Sequence, residues 1–133
     1  MFLLDTNILS DLVRNPQGPI ADRIAEVGEV EVATSIIVAA ELRYGAERRG
    51  SARLTAQLEA VLDLLPVLPL GDDADAHYGR LRADLERRGT PIGANDMLIA
   101  AHALALGATL VTDNMREFER VQGLSIVNWL RAA

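Results

Sequence analysis

Short apolar runs alternate along this chain with longer segments of helical periodicity, and that alternation limits its architecture more than any other feature. Phe2-Leu3-Leu4 and Ala108-Thr109-Leu110-Val111 are too short for helices and too apolar for loops, so they read as buried strands. Val30 and Val32, alternating with Glu29 and Glu31, predict a strand running into Ala33; Pro66-Val67-Leu68-Pro69-Leu70 and Ser125-Ile126-Val127 predict two more short extended segments. Helical spacing covers the stretch after Asp5-Thr6-Asn7 to Val13, then Ile20 to Val27 ahead of Gly28. It returns from Ile36 to Arg49 behind the caps Thr34-Ser35, and from Ser51 to Leu65. Further helices are predicted from the acidic turn Gly71-Asp72-Asp73 to Arg88, from Asp96 to about Leu106, and briefly from Arg116 to Arg120. Strands shorter than the helices between them predict an α/β fold: one domain over residues 1–133, with a mostly parallel central sheet covered on both faces. In such sheets ligands sit outside the carboxyl ends of the strands.

Composition removes several chemistries. The chain has no cysteine, which excludes disulfide scaffolds, zinc–thiolate sites and thiol nucleophiles. All 13 basic residues are arginine, so a Walker A loop, a Schiff-base lysine and a Ser–Lys dyad are excluded as well. Aromatics are only 4% of the residues, which leaves Leu, Val, Ile and Ala to fill the core. The apolar start reaches Asp5 too soon for a signal peptide, and no apolar run is long enough to span a membrane. A cytoplasmic protein with no membrane partner is expected. A net charge of −6 argues, taken alone, against nucleic acid.

Four carboxylates fit their surroundings poorly. Asp5 and Asp113 directly follow predicted strands, where both would project from the functional edge of the sheet. Glu41 shares a helical stripe with Ile37, Val38 and Tyr44, and Asp96 heads a stripe containing Ile99, Ala100 and Ala103. A carboxylate on an apolar stripe pays for desolvation unless something charged compensates. Carboxylates gathered within about 5 Å would repel one another by roughly 3 kcal/mol per pair. An all-oxygen acidic site without Lys, Cys or a spaced His suits a hard cation such as Mg²⁺, with Mn²⁺ as the alternative. Sites of this kind act mainly on phosphates, which makes metal-dependent phosphodiester hydrolysis the leading reaction class.

Four segments in order, Leu3-Leu4-Asp5-Thr6-Asn7, Ser35 to Gly45, Pro91 to His102 and Leu110 to Phe118, resemble the PIN-domain nucleases, and among them the VapC toxins of bacterial toxin–antitoxin pairs. The resemblance spans nearly the whole chain. It implies a three-layer α/β/α domain carrying an acidic Mg²⁺ site, with endoribonuclease activity. It places Asp5, Glu41 and Asp96 at the catalytic and metal-site acids, and leaves the fourth position to Asp113 or Asn114. Thr6, Asn7, Ser35 and Thr112 are implied as residues that orient the acids. It further implies an RNA substrate, a homodimer and a cognate VapB-type antitoxin that blocks the site.

Arg43, Arg48, Arg116 and Arg120 are the candidates for gripping RNA phosphates, since the planar guanidinium fork matches them. His77, His102 and Trp129 read as structural residues, and Tyr44 reads as core slightly more than as a wall of the site. A covalent aspartyl-phosphate mechanism is disfavoured, because Asn7 stands where a second acid is needed and no lysine is present. The alternative from another class is a catalytically silent PIN-fold module acting by protein or RNA contact.

Overall fold

The computed structural model describes residues 1–131. Five strands form one all-parallel sheet: β1 (Phe2–Leu4), β2 (Val32–Ser35), β3 (Val67–Leu68), β4 (Thr109–Val111) and β5 (Ile126–Val127), in the order β3-β2-β1-β4-β5. Seven helices connect and cover them in a three-layer α/β/α arrangement. They are α1 (Thr6–Arg14), α2 (Pro19–Val27), α3 (Ile36–Arg49), α4 (Ala52–Leu64), α5 (Ala74–Arg87), α6 (Ala94–Leu106) and α7 (Met115–Phe118).

The strands are apolar on both faces because both faces are covered. Leu3, Leu4, Leu110 and Val111 are wholly buried, as central parallel strands require. Helix α6 is buried on nearly all sides through Met97, Ile99, Ala100, Ala101, His102 and Ala103, and its alanines let it pack closely. Gly107, at φ +64°, ends α6 in the left-handed region and turns the chain into β4. At the other edge, Trp129 is buried with its ring 5.2 Å from that of Phe2, anchoring the segment after β5.

Two expectations are corrected. Val30 does not belong to a strand: Glu29–Glu31 is a single 3-10 turn and Val30 is 94% exposed, so the apparent alternation paired a turn valine with buried Val32, the first residue of β2. Tyr44 is 67% exposed and is not a core residue. Leu58 and Leu62 of α4 are buried in the core, with Leu54 packed against it.

The sheet order also locates the functional edge. The chain builds outward from β1 through β2 to β3, then returns to lay β4 against the other side of β1. The carboxyl ends of β1 and β4 therefore flank the topological switch point, where a crevice opens.

Ser35 holds α3 in place behind that edge. Its wholly buried hydroxyl oxygen accepts from the Ile37 N–H (3.1 Å), capping α3, and lies 2.8 Å from Nδ1 of buried His102 on α6. Burial, against a smaller pull from the Pro69 carbonyl, lowers the His102 pKa and keeps its ring neutral. Ser35→Ala removes a helix cap and strands a buried imidazole. We expect a loss of roughly 2–4 kcal/mol in urea unfolding at pH 7. A loss below about 0.5 kcal/mol, the usual range for a surface change, would contradict this role.

Candidate active site

Asp5 is the residue around which the crevice is built. It ends β1 with its carboxylate only 4% exposed, and its own N–H continues the ladder to the Val111 carbonyl (2.9 Å). One carboxylate oxygen accepts from the Thr112 hydroxyl at 2.7 Å, and the Thr6 N–H also stabilises the charge. Burial outweighs both bonds and raises the Asp5 pKa, with Glu41 and Glu117 adding like-charge repulsion.

Glu41 reaches this crevice from α3, half-buried, one turn beyond fully buried Val38. The Thr6 hydroxyl donates to one of its oxygens (2.5 Å), and the Asn95 amide lies 3.4 Å from the other. Asp96 enters from the first turn of α6. Its pKa is raised from 3.8 to about 7, first by burial, then by the charges of Glu117 and Asp5, a side-chain hydrogen bond shared with Glu117, and finally Glu41.

The fourth acid is Glu117, which sequence reasoning missed. It projects from α7, where one oxygen accepts from the Gly93 N–H (2.8 Å) and the other from the Asn114 amide (2.5 Å). Those donors, the bond with Asp96 and nearby Arg120 outweigh desolvation and lower its pKa. The loop before α6 leaves no room to spare: a Cβ on Gly93 would sit 3.2 Å from an Asp96 carboxylate oxygen.

Asp113 lies outside the cluster. Side chains alternate along an extended chain, so with Thr112 turned toward Asp5, Asp113 must turn away and Asn114 must turn back. The Asp113 carboxylate accepts from Asn128 (2.8 Å) and Arg131 (2.9 Å), and these bonds lower its pKa. Asn114 is in the site, with its amide committed to Glu117. Of the residues implied to orient acids, Thr112 contacts Asp5, and Thr6 contacts Glu41 through its hydroxyl. The Asn7 side chain instead accepts from the Asp113 N–H (3.2 Å), holding the β4–α7 loop. Ser35 contacts none of the acids.

The arginines divide similarly. Arg43 is paired with Glu59 on α4, and the Arg120 guanidinium donates to the Pro91 carbonyl (3.0 Å). Arg48 and Arg116 are exposed and, among the described residues, have no ion-pair partner.

Residues 2–124 match the profile of the PIN domain. The chain is a PIN-domain protein of the VapC family. It is 39% identical over 129 residues to the tRNA(fMet)-specific endonuclease VapC of Salmonella typhimurium, covering 96% of this chain and 97% of that one. It is 35% identical over 131 residues to ribonuclease VapC2 of Rickettsia felis, covering 97% and 98%. Among solved structures, VapBC2 from Rickettsia felis bound to a promoter DNA fragment superposes with a TM-score of 0.89 at 35% identity, covering 96% and 98%. DNA-bound VapBC from Salmonella typhimurium gives 0.86 at 38%, covering 96% and 97%.

The donors of this VapC-family site fit a hard divalent cation. Asp5, Glu41, Asp96 and Glu117 converge without lysine or thiolate, and Asp96 holds its proton partly because its neighbours are anionic. Among the described residues, no three His, Asp or Glu side chains are already close enough together to hold an ion unaided. An all-oxygen donor set of this kind suits a hard cation such as Mg²⁺, with water and substrate oxygens completing its octahedron.

The raised pKa of Asp96 has a testable consequence. An unfolded Asp titrates near 3.8, whereas the folded group keeps its proton to about 7. The resulting stability is complete below the unfolded value and is lost as pH rises through the folded one. In EDTA, Asp96→Asn should therefore gain stability relative to the native chain between pH 4.5 and 8, by on the order of 1–2 kcal/mol. Urea midpoints at both pH values check this; a pH-independent difference would contradict it.

Proposed function

We propose that this chain is a Mg²⁺-dependent endoribonuclease and the toxin of a VapBC-type pair, acting in the cytoplasm. The observation that carries this reading is the convergence of Asp5, Glu41, Asp96 and Glu117 at the switch point, with Asp5, Glu41 and Glu117 held by neutral hydrogen-bond donors and none of the four in an ion pair among the described residues. In this reading those four acids hold Mg²⁺, or Mn²⁺ in its place. The chemistry such an ion supplies is neutralisation of the phosphodiester's charge and activation of water as nucleophile.

The chain's own groups do the positioning. Thr112 fixes the rotamer of Asp5, Thr6 and Asn95 hold Glu41 toward the crevice, and Gly93 with Asn114 grips Glu117. Asp96 must release its proton to become a full ligand, so cation binding is accompanied by proton release near neutral pH. Arg116 and Arg48, free among the described residues, supply phosphate contacts that offset the acidic balance of the chain.

For the substrate we infer a transfer RNA, on the strength of the Salmonella relative's specificity. For the partner we infer a VapB-type antitoxin, as in the VapBC structures. A groove of about 270 Å³ between α1, α3 and α4 is lined by Val13, Leu42, Ala46, Leu54 and Leu58 and runs up to Glu41, which suits a blocking apolar segment. A homodimer completes the reading, since Ile36 and Tyr44 of α3 leave apolar surface exposed.

Cleavage of a transfer RNA pool with Mn²⁺ or Mg²⁺, in parallel with EDTA and Asp5→Ala lanes, tests this function. The reading requires cutting that depends on both metal and Asp5. Asp96→Asn should lose more than about a hundredfold in rate, because residues that merely orient ligands are already worth 10–100-fold. Absence of cutting together with absence of any metal-dependent rise in Tm would favour the silent binding module instead.

A further inference from the structure

Arg120 and Arg88 are the arginines whose connections in the fold are least explained by surface solvation. Arg120 follows α7 by two residues, and its guanidinium leaves the helix to donate to the Pro91 carbonyl at 3.0 Å. Arg88, just past α5, donates to the Arg120 carbonyl at 2.5 Å while its Nε and Nη2 hold Asp84 of α5 at 2.9 and 2.6 Å. Both guanidinium groups thus close a ring: the end of α5 holds the end of α7, and the end of α7 holds the loop before α6. Two residues beyond Pro91, that loop presents the Gly93 N–H to Glu117, and three residues further on it presents Asp96.

We propose that Arg120, backed by Arg88, is a positioning residue for the acidic site: its grip on Pro91 sets the Gly93 peptide opposite Glu117 and so fixes the spacing between Glu117 and Asp96. The inference rests on the functional reading above for its consequence, and on geometry alone for its existence. Helix α7 is four residues long and carries Phe118 as its only fully buried side chain. So short a helix is not stable by itself, and its orientation must be set by its attachments. Glu117 is held by Asn114 within α7's own turn, by Gly93 across the crevice and by the bond it shares with Asp96. The Gly93 and Asp96 holds both tie α7 to the start of α6, and the Gly93 peptide is kept in register by the Arg120–Pro91 bond. Room is scarce at that point, since a Cβ at Gly93 would press against the Asp96 carboxylate. A shift of the loop by a fraction of an ångström therefore alters both acids at once. An arginine serves here because its planar guanidinium reaches the Pro91 carbonyl with fixed direction.

The test compares the native chain with Arg120→Gln, Arg120→Lys and Arg88→Gln, with Arg116→Gln as a surface control. The first readout needs no metal: in EDTA, the Gly93 amide proton, held by a carboxylate, should resonate downfield and exchange slowly in ¹H–¹⁵N spectra. Arg120→Gln should move it upfield and speed its exchange, Arg88→Gln should do so partially, and Arg120→Lys should retain most of the native signature. The second readout is the Mn²⁺ concentration for half-maximal rise in Tm, which Arg120→Gln should increase about tenfold, the low end for groups that orient metal ligands. The third is a fall in kcat with KM within about twofold, whereas Arg116→Gln should raise KM and leave the Mn²⁺ midpoint unchanged.

A native Gly93 signal in Arg120→Gln overturns the proposal, as does an effect on KM alone, which would make Arg120 a contact for RNA. If Arg120→Gln fails to fold, Arg88→Gln decides by the same amide readout. Should the native protein show neither metal stabilisation nor cleavage, the functional reading fails, and the Gly93 amide still decides whether the clamp exists.

Discussion

Asp5 carries a charge into the interior at the carboxyl end of the central strand, and much of the sheet's functional edge can be traced to how that charge is accommodated. Its backbone is fixed by the ladder to β4, so the carboxylate cannot swing out to water. A buried carboxylate without a cationic partner is costly unless it is hydrogen-bonded. Thr112 meets that need from the adjacent strand, which ties the first and fourth strands at the point where they part. The next acids, Glu41, Asp96 and Glu117, are then brought toward a group that repels them. Glu41 is restrained by Thr6 of α1, Glu117 by the Gly93 N–H before α6 and by Asn114 at the start of α7, and Asp96 by the proton it shares with Glu117. Among the described residues none of the four acids is in an ion pair, and only the more distant Arg120 eases the charge on Glu117.

This division of labour explains why the apolar framework behind the crevice is so complete. Leu3, Leu4, Leu110, Val111 and Ile99 have no exposed surface, and α6 is sheathed almost entirely. A rigid backing is what allows four like charges to be held at fixed positions, since a loose one would let them separate. Ser35 and His102 extend the backing by joining the start of α3 to α6, the two helices that deliver Glu41 and Asp96.

Most of the fold was legible because strand and helix periods differ and because caps mark the helix starts. Phe2–Leu4 and Thr109–Val111 stood out as apolar runs, and Ser35 and Gly107 marked the boundaries of α3 and α6. Val30 was misread because a 3-10 turn produced a brief alternation that carried no burial. In the site, Asp5, Glu41 and Asp96 were legible because each sits where an acid is out of place. Glu117 was not, since Arg116, Glu119 and Arg120 around it make α7 look like a solvated polar helix. Asp113 drew attention in its stead for following a strand as Asp5 does. The signal that separates them is alternation: once Thr112 faces Asp5, its neighbour cannot, and the next inward residue, Asn114, leads one helical turn on to Glu117. Partner contacts of Arg120 lie 29 residues away in sequence, at Pro91, and no local pattern reports them.

We propose that Asp5, Glu41, Asp96 and Glu117, and not Asp113, form one cation site. Isothermal titration of Mn²⁺ into the native protein, Glu117→Gln and Asp113→Asn tests it most directly. Binding by the native chain that is weakened at least about tenfold by Glu117→Gln, and kept within about twofold in Asp113→Asn, is the predicted result. Loss of binding in Asp113→Asn with native affinity in Glu117→Gln would contradict the account.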